Sequence, residues 1–424
     1  MSHVPESPEA RRTLLLLGCG REQIEALQIA RELGYRTVAF DNDPEAVGRH
    51  HADVFARVDL KNETALLGQA ELANPDGVFV HAAELAVEAA TVAEALGLPG
   101  LTIESARTAT AKQRRIARFA EAGIQTPAYR VLDRAASVEA WQAAAREIGF
   151  PCVLKPTDPA GARGVERIDD AAGVAAYHAS RTRFACAHFV CEERLRGLEL
   201  STESVRAGGK LLHHAIALRH YDTTESHAPA FIEDGHSLPY ALPGPLRAEV
   251  ERVIERAFNV LGVDEGVLKG DLLIDADGRV FVIEMAARTS GGRFADTVVP
   301  LGTGVNILYP LIELAMGDAF SRDWFTPDRA VGVSQRFFLH DAPGTVRRWP
   351  ALRALVAKPW VCAWSIDTDR FRTGHLPRIT SHRERLGYVI CTGETREEAD
   401  ARALAITGAF AEALELEPDA ETSR

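Results

Sequence analysis

What this chain lacks narrows it first. Six cysteines among 424 residues, at Cys19, Cys152, Cys186, Cys191, Cys362 and Cys391, have neither metal-ligand spacing nor the density of a disulfide framework. That excludes a zinc-ribbon or disulfide-stapled module and reads as the reduced thiols of an intracellular protein. Positive charge is not in excess. The net charge is -12, with acids and bases interspersed, which excludes a broad nucleic-acid or anionic-membrane surface. Long apolar runs are missing too. Residues 14–17 are too few for the hydrophobic centre of a signal peptide, and no segment approaches membrane-spanning length. The polar start, MSHVPESPEARR, is expected to fray. There is no internal repeat and no low-complexity tract. The balance of 46% hydrophobic and 25% charged residues is that of a globular protein, here of two to four domains, and a cytoplasmic location is expected.

What is present alternates between strand and helix. Residues 13–17 read as a strand, Gly18-Cys19-Gly20 as a turn, 22–33 as a helix ended by Gly34, and 36–40 as a strand closing on Asp41. This is a β-turn-α-β unit of Rossmann type. A dinucleotide could sit there with Asp41 on a ribose, although Gln23 stands where the third glycine belongs. A strand at 77–80 and a helix at 85–96 continue the alternation, and 97–100 closes the first unit. A helix over 105–122, stopped by Gly123 and Pro127, is followed by one at 138–148. Residues 152–154 form a strand running into a glycine loop. HFVCEERLRGLELSTESV reads as strand, turn, strand. An amphipathic helix at 247–261, a strand at 331–339 and an Ala-rich helix from Thr395 complete an α/β (α+β) chain.

The densest chemistry lies in residues 266–292, GVLKGDLLIDADGRVFVIEMAARTSGG. Asp277-Gly278 is a strong hairpin signal. A two-residue loop pairs Ala276 with Arg279 and, counting outward, sets Asp271 opposite Glu284. A four-residue loop gives the same register, and a three-residue loop breaks it. Opposed carboxylates repel. A hard cation between them removes that objection, because Mg²⁺ takes carboxylate oxygens together with substrate phosphates. Alternation puts Ala286 and Arg288 on the face of Glu284. Upstream, Lys155 ends a strand before the loop 158–164, which carries Gly161 and Gly164. The ammonium and closely approaching backbone N–H groups suit phosphate, though not with Walker spacing. Glu192, Glu193 and Glu199 can accept bonds from an adenine amino group and ribose hydroxyls. Lys112 shares a helix with Arg114, Arg115 and Arg118. Taken singly, each has a bland alternative as a solvated loop, turn or helical face. His213-His214 are expected to be structural.

In this order, Lys112, Lys155 with its loop, the 192–199 segment, then Asp271, Glu284 and Arg288, the chain resembles the ATP-grasp superfamily. The phrases ARTATAKQRRIARFAEAGIQTP, FPCVLKPTDPAGARGV and VFVIEMAARTSGG carry the likeness. It implies a pre-ATP-grasp domain over 11–104, an ATP-grasp core over 105–325 with a lid near 150–205, and a small α+β domain over 326–424. It further implies that Lys112 and Lys155 contact nucleotide phosphates, with Gly161 and Gly164 in the loop closing over them. Glu192, Glu193 and Leu195 would meet adenine, and Glu199 the ribose of ATP. Asp271 and Glu284 would hold Mg²⁺, or Mn²⁺ in its place, and Arg288 would meet the substrate carboxylate and an acyl phosphate. One departure stands out. The usual Asn two residues after the second metal ligand is Ala286 here, so a second Mg²⁺ is held more weakly, or chiefly by ATP and Glu284. Within the superfamily, FIEDGHSLPYALP and RLGYVICTGETREEADARA resemble L-amino acid ligases of the bacilysin-synthetase type. That likeness implies that Glu233 and His236 line an amino acid pocket and bind or deprotonate the amine. The expected activity is an amide-forming ligation of small-molecule carboxylate and amine substrates, releasing ADP and phosphate, by a homodimer. Alternatives are an ATP-grasp enzyme activating formate or bicarbonate in purine-type metabolism, a nucleotide-binding regulator, and an NAD enzyme.

Overall fold

The structure, a computed structural model, describes residues 11–157, 161–367, 371 and 374–419. The polar N-terminus through residue 10 and residues 158–160 of the glycine loop lie outside the described residues. The strand Thr13–Leu17 sits inside a four-stranded parallel sheet, between Arg36–Asp41 and Gly77–Phe79, with Val54–Arg57 at the far edge. Leu14 to Leu17 are wholly buried. An unbroken apolar run is what a strand covered on both faces requires. The glycine turn after it is occupied by its own chain. The Cys19 and Asp43 amides donate to the two oxygens of Asp41 at 2.7 and 2.9 Å. Gln23 accepts from the Gly20 amide at 2.9 Å and donates to the His81 carbonyl at 2.6 Å. The groups a dinucleotide needs are spent on holding the turn, so this unit reads as structural.

The helix expected over 105–122 is two helices, Ile103–Thr110 and Lys112–Glu121. Ala111 between them is extended, with φ -77° and ψ 110°. Arg115 explains the break, because its guanidinium donates to the Ala109 carbonyl at 2.8 Å and satisfies one of the acceptors left open at the first helix end. Lys112 thereby opens a new helix.

A second, four-stranded sheet is antiparallel in the order Tyr129–Asp133, His188–Glu193, Cys152–Pro156, Glu166–Ile168. Helices Val138–Ile148 and Ala171–Ser180 cover it, around Trp141, Tyr177 and Phe189. This sheet spans residues 129–193, a different range from the 150–205 expected for a lid. Leu198–Ala207 pairs elsewhere, in an eight-stranded sheet. Its order is Val280–Ala286, Gly266–Ile274, Leu198–Ala207, Lys210–His220, Gly235–Leu238, Gly332–Phe338, Gly387–Gly393, Val361–Ile366. The last three strands lie beyond residue 326, so one sheet runs through the division drawn there. Helix Gly244–Leu261 buries Val250, Val253, Ile254, Ala257, Phe258 and Leu261 against it, a stripe at helical period. Among the described residues no helix is long and apolar enough to cross a membrane.

Arg336 is the polar knot of the large sheet. It is 3% exposed and donates to Asp234 at 2.7 Å, to Asp222 at 2.8 Å, and to both oxygens of Asp400 at 2.8 and 2.9 Å. Asp400 comes from the C-terminal helix Arg396–Ala413. Removing one member of such a buried set leaves charges unpaired. Arg336→Met is expected to lose about 3–5 kcal/mol of stability, measured as a lower urea midpoint than the parent. An unchanged midpoint would show the cluster to be energetically idle.

Candidate active site

The hairpin reaches its register by an unexpected route. Gly278 donates to the Asp275 carbonyl at 3.0 Å and Asp275 to that of Arg279 at 3.1 Å, with Gly278 at φ +78°. This is the three-residue loop that the sequence reading set aside, and it pairs Ile274 with Val280. Carried straight on, it would set Asp271 against Ile283. A β-bulge at Ile283 inserts one residue, and Asp271 faces Glu284 after all. Lys269 then faces Ala286.

Both carboxylates look into a cavity of about 820 Å³ between the N-terminal unit, the four-stranded sheet and the large sheet. Lys112, Lys155, Gly161, Glu192, Glu193, Leu195, Glu199, Glu233, His236 and Arg288 line the same cavity. Gly164 does not. It sits at φ +72°, its carbonyl accepts from Tyr177 at 2.7 Å, and a Cβ there would strike the Phe184 ring. Its role is to turn the chain.

The end of the cavity under the four-stranded sheet is cationic. Lys155 Nζ lies 2.6 Å from Glu192 Oε2, and Glu192 Oε1 is buried without a hydrogen-bond partner among the described residues. That oxygen is left for a donor such as an exocyclic amino group. Lys112 Nζ donates to the Thr157 carbonyl at 3.3 Å, and burial pushes its pKa down against the pull of Glu284. Burial alone would raise the Glu284 pKa. The charges of Lys112, Lys269, Arg115 and Lys155 win and hold its carboxyl far below the usual range. Asp271 is bonded to Lys269, lies 3.0 Å from Arg219 Nη1, and accepts from Ser201 at 3.3 Å. Among the described residues there is no group of three or more His, Cys, Asp or Glu side chains that could hold a metal ion. Two carboxylates with ligand oxygens fit one hard cation.

Arg288 is held from a distance. Its Nε and Nη2 meet Oε1 of Glu84, from the N-terminal unit, at 2.9 and 2.5 Å. The loop after it is pinned as well. Ser290 N–H donates to both oxygens of Glu203 at 3.1 and 3.2 Å, Gly292 N–H donates to Glu22 at 2.8 Å, and Thr289 Oγ1 meets His81 Nδ1 at 2.8 Å.

Across the shared Arg219 from Asp271, Glu233 gathers cations. Arg219 lies 3.1 Å away, Arg385 3.4 Å and His236 Nδ1 3.4 Å. Although burial opposes it, this company keeps the Glu233 carboxyl well below its ordinary range. Such a carboxylate is a poor proton acceptor, which leaves it binding rather than deprotonation. His236 Nε2 is buried without a hydrogen-bond partner among the described residues, and its ring stands edge-on to Phe294 at 4.8 Å. Arg385 and His382 reach this end from the C-terminal region, with Arg385 stacked 3.8 Å from the Phe337 ring centre. Burial draws the Arg385 pKa down to about 10. His213 and His214 lie apart from the cavity lining, held neutral by burial at about 4 and about 3.

Sequence reasoning missed Glu84, Glu203, Arg219, Lys269, His382 and Arg385. Only Lys269 carried a local signal, two residues before Asp271 and therefore on its face.

Comparison with known proteins follows the same lines. Residues 148–297 match the family model of the ATP-grasp domain, and residues 336–410 that of the L-amino acid ligase C-terminal domain 2. Over 164 residues the chain is 34% identical to a formate-dependent phosphoribosylglycinamide formyltransferase of Burkholderia cenocepacia, a match covering 38% of this chain and 39% of that protein. The chain thus spans well under half the length of that relative. In structure it is similar to an L-amino acid ligase from Bacillus licheniformis, with TM-score 0.80 and 20% identity over 96% of this chain and 99% of that one. It is also similar to a carboxyaminoimidazole ribonucleotide synthase from Aspergillus clavatus complexed with ATP, with TM-score 0.73 and 14% identity over 95% and 99%. These likenesses establish the fold.

Glu203 offers a test of the pinned loop. It is fully buried, and burial, only partly offset by its bonds to Ser290, pushes its pKa up to about 7. A folded-state pKa above the unfolded one, about 4.3, means the native state holds the proton longer. Stability is therefore lost as pH rises from about 4.3 towards 7, by up to about 4 kcal/mol. Glu203→Gln keeps an acceptor for Ser290 and removes the titration. Thermal midpoints at pH 5 and pH 7.5 should fall less in the variant than in the parent, and equal falls would refute the assignment.

Proposed function

Because the chain is a member of the ATP-grasp superfamily, we propose that it is an ATP-dependent carboxylate–amine ligase that joins two amino acids, or an amino acid and an amine, and releases ADP and phosphate. The observation that carries this reading is the opposed pair Asp271 and Glu284 with Arg288 in one cavity with Lys112 and Lys155. On this reading the four-stranded sheet over residues 129–193 is the lid, and the end of the cavity around Glu233 and His236 receives the substrates.

The chemistry follows from charge. A carboxylate is a poor electrophile because its leaving group would be oxide. Transfer of the γ-phosphoryl group makes an acyl phosphate, whose leaving group is phosphate. The transferring group is anionic, so the site must neutralise growing negative charge. Lys112 and Lys155 do so at the phosphates. Asp271 and Glu284 would hold Mg²⁺, which would supply further positive charge against the phosphates. Arg288 then faces the carbonyl oxygen as the amine attacks and develops an oxyanion. Glu84 keeps that guanidinium oriented. Glu233 binds the ammonium form of the incoming amine. His236, whose Nδ1 side is committed to Glu233, has Nε2 available to take the proton. Closure of the loop that includes Gly161 excludes the water that would hydrolyse the acyl phosphate.

The 34% identity to a formate-dependent formyltransferase supports a second reading, in which formate or bicarbonate is the acid. Against it stands the furnished substrate end. His236, Phe294, Phe337 and Arg385 line it, and residues 336–410, which supply the last two, match the family model of the L-amino acid ligase C-terminal domain 2.

Turnover of Mg·ATP with pairwise amino acid mixtures, and with formate and bicarbonate separately, decides between the readings. ADP and phosphate formed only with an amino acid pair support the ligase. The same products with formate or bicarbonate support the second reading, and AMP with pyrophosphate contradicts the acyl-phosphate route. Glu284→Gln should abolish turnover in a protein that still folds, and retained turnover would remove it from the metal site. Arg288→Ala should lower kcat by about 10²–10³, the scale for one oxyanion donor. A change confined to KM would make Arg288 a substrate-binding group only.

A further inference from the structure

Three facts about Lys269 belong together. Its ammonium is bonded to Asp271, and both side chains are largely buried, at 16% and 7% exposed. Its charge also bears on Glu284, the facing carboxylate. Its partner directly across the strand pair is Ala286, whose side chain offers no ligand atom. Directly opposed residues have Cβ atoms about 5 Å apart, within easy reach of a lysine. A small residue at 286 therefore leaves space on the face where Lys269 sits, and Lys269 supplies a positive centre there.

We propose that Lys269 serves as a built-in second cation, so that the chain binds nucleotide with one divalent ion rather than two. The inference rests on the nucleotide-dependent reading above. A second divalent ion would have to approach Asp271 past an ammonium already bonded to it. It would also find no oxygen at position 286. The ammonium is a compact, strongly hydrated point charge with three donors, suited to bridge a carboxylate and a phosphate oxygen. The cavity wall is already rich in such charge. Among the described residues eleven Lys and Arg face seven Asp and Glu there, in a chain of net charge -12. A tetra-anionic nucleotide is then neutralised largely by fixed side chains, and one mobile ion suffices.

The test counts ions. Mn²⁺ is titrated into the full chain at saturating ADP, free Mn²⁺ is read by electron paramagnetic resonance, and bound ADP is measured separately by calorimetry. The parent should bind one Mn²⁺ per bound ADP. The double variant Lys269→Met with Ala286→Asn should bind two, and circular dichroism melting confirms that it is folded. Two ions on the parent overturn the inference while leaving the ligase reading intact. One ion on a folded double variant removes Lys269 as the cause and also overturns it. Failure of the parent to bind ADP overturns both.

Discussion

Two like charges set face to face across a strand pair are the constraint on which this cavity is built. At about 5 Å and an effective dielectric near 20, Asp271 and Glu284 would repel by about 3 kcal/mol. The surrounding structure answers that repulsion. Lys112 opens the helix that follows the break at Ala111, and its charge bears on Glu284. Arg115, which caps the preceding helix, turns its other nitrogen to within 3.6 Å of the same carboxylate. Arg219 and Lys269 hold Asp271. Cations have thus been gathered around both carboxylates, and they hold Glu284 charged. On the proposed reading those cations also serve phosphate oxygens, so the feature that makes the pair tolerable would make the site useful.

The pair exists only because two irregularities cancel. The loop Ala276-Asp277-Gly278 imposes one register and the bulge at Ile283 corrects it by one residue. A strand slip of one residue would turn the face of Glu284 away from that of Asp271. Bulges gather where a side chain has to be re-aimed, and Ile283 and Glu284 both line the cavity as a result. Apolar burial beneath, with Met285 and Phe258 in one cluster, holds that register.

Much of this was legible from sequence wherever the signal is local. The buried run 14–17 and the helical stripe of Gly244–Leu261 are local patterns, and the structure follows them, whereas the strand expected to carry Arg288 on the face of Glu284 ends at Ala286. The opposition of Asp271 and Glu284 was foreseen, but through a loop length the chain does not use. What could not be read depends on contacts between distant segments. The break at Ala111 follows from a side chain folding back. Glu84 stands 204 residues before Arg288, and Arg385 stands 152 after Glu233. No window of sequence contains both members of such a pair. Gly164 misled for the opposite reason. A glycine in a phosphate-like loop suggested contact with a ligand, whereas its positive φ and the Phe184 ring beside it account for it fully.

The same distance argument bears on where specificity resides. The eight-stranded sheet passes from the ATP-grasp match at 148–297 into the match at 336–410 without a break, through the pairing of Gly235–Leu238 with Gly332–Phe338. His236 sits on the first of these strands and Phe337 on the second, and their rings lie 6.4 Å apart. Arg385 and His382 then enter from the segment before the next strand. On the proposed reading the groups for phosphate, Lys112 and Lys155, come from residues before 300, whereas the surroundings of Glu233 are shared between both regions. Changes in the C-terminal region can therefore reshape what the substrate end accepts while the carboxylate pair and its cations stay in place. A fold arranged in this way can keep one phosphoryl-transfer chemistry and vary the acid and the amine presented to it.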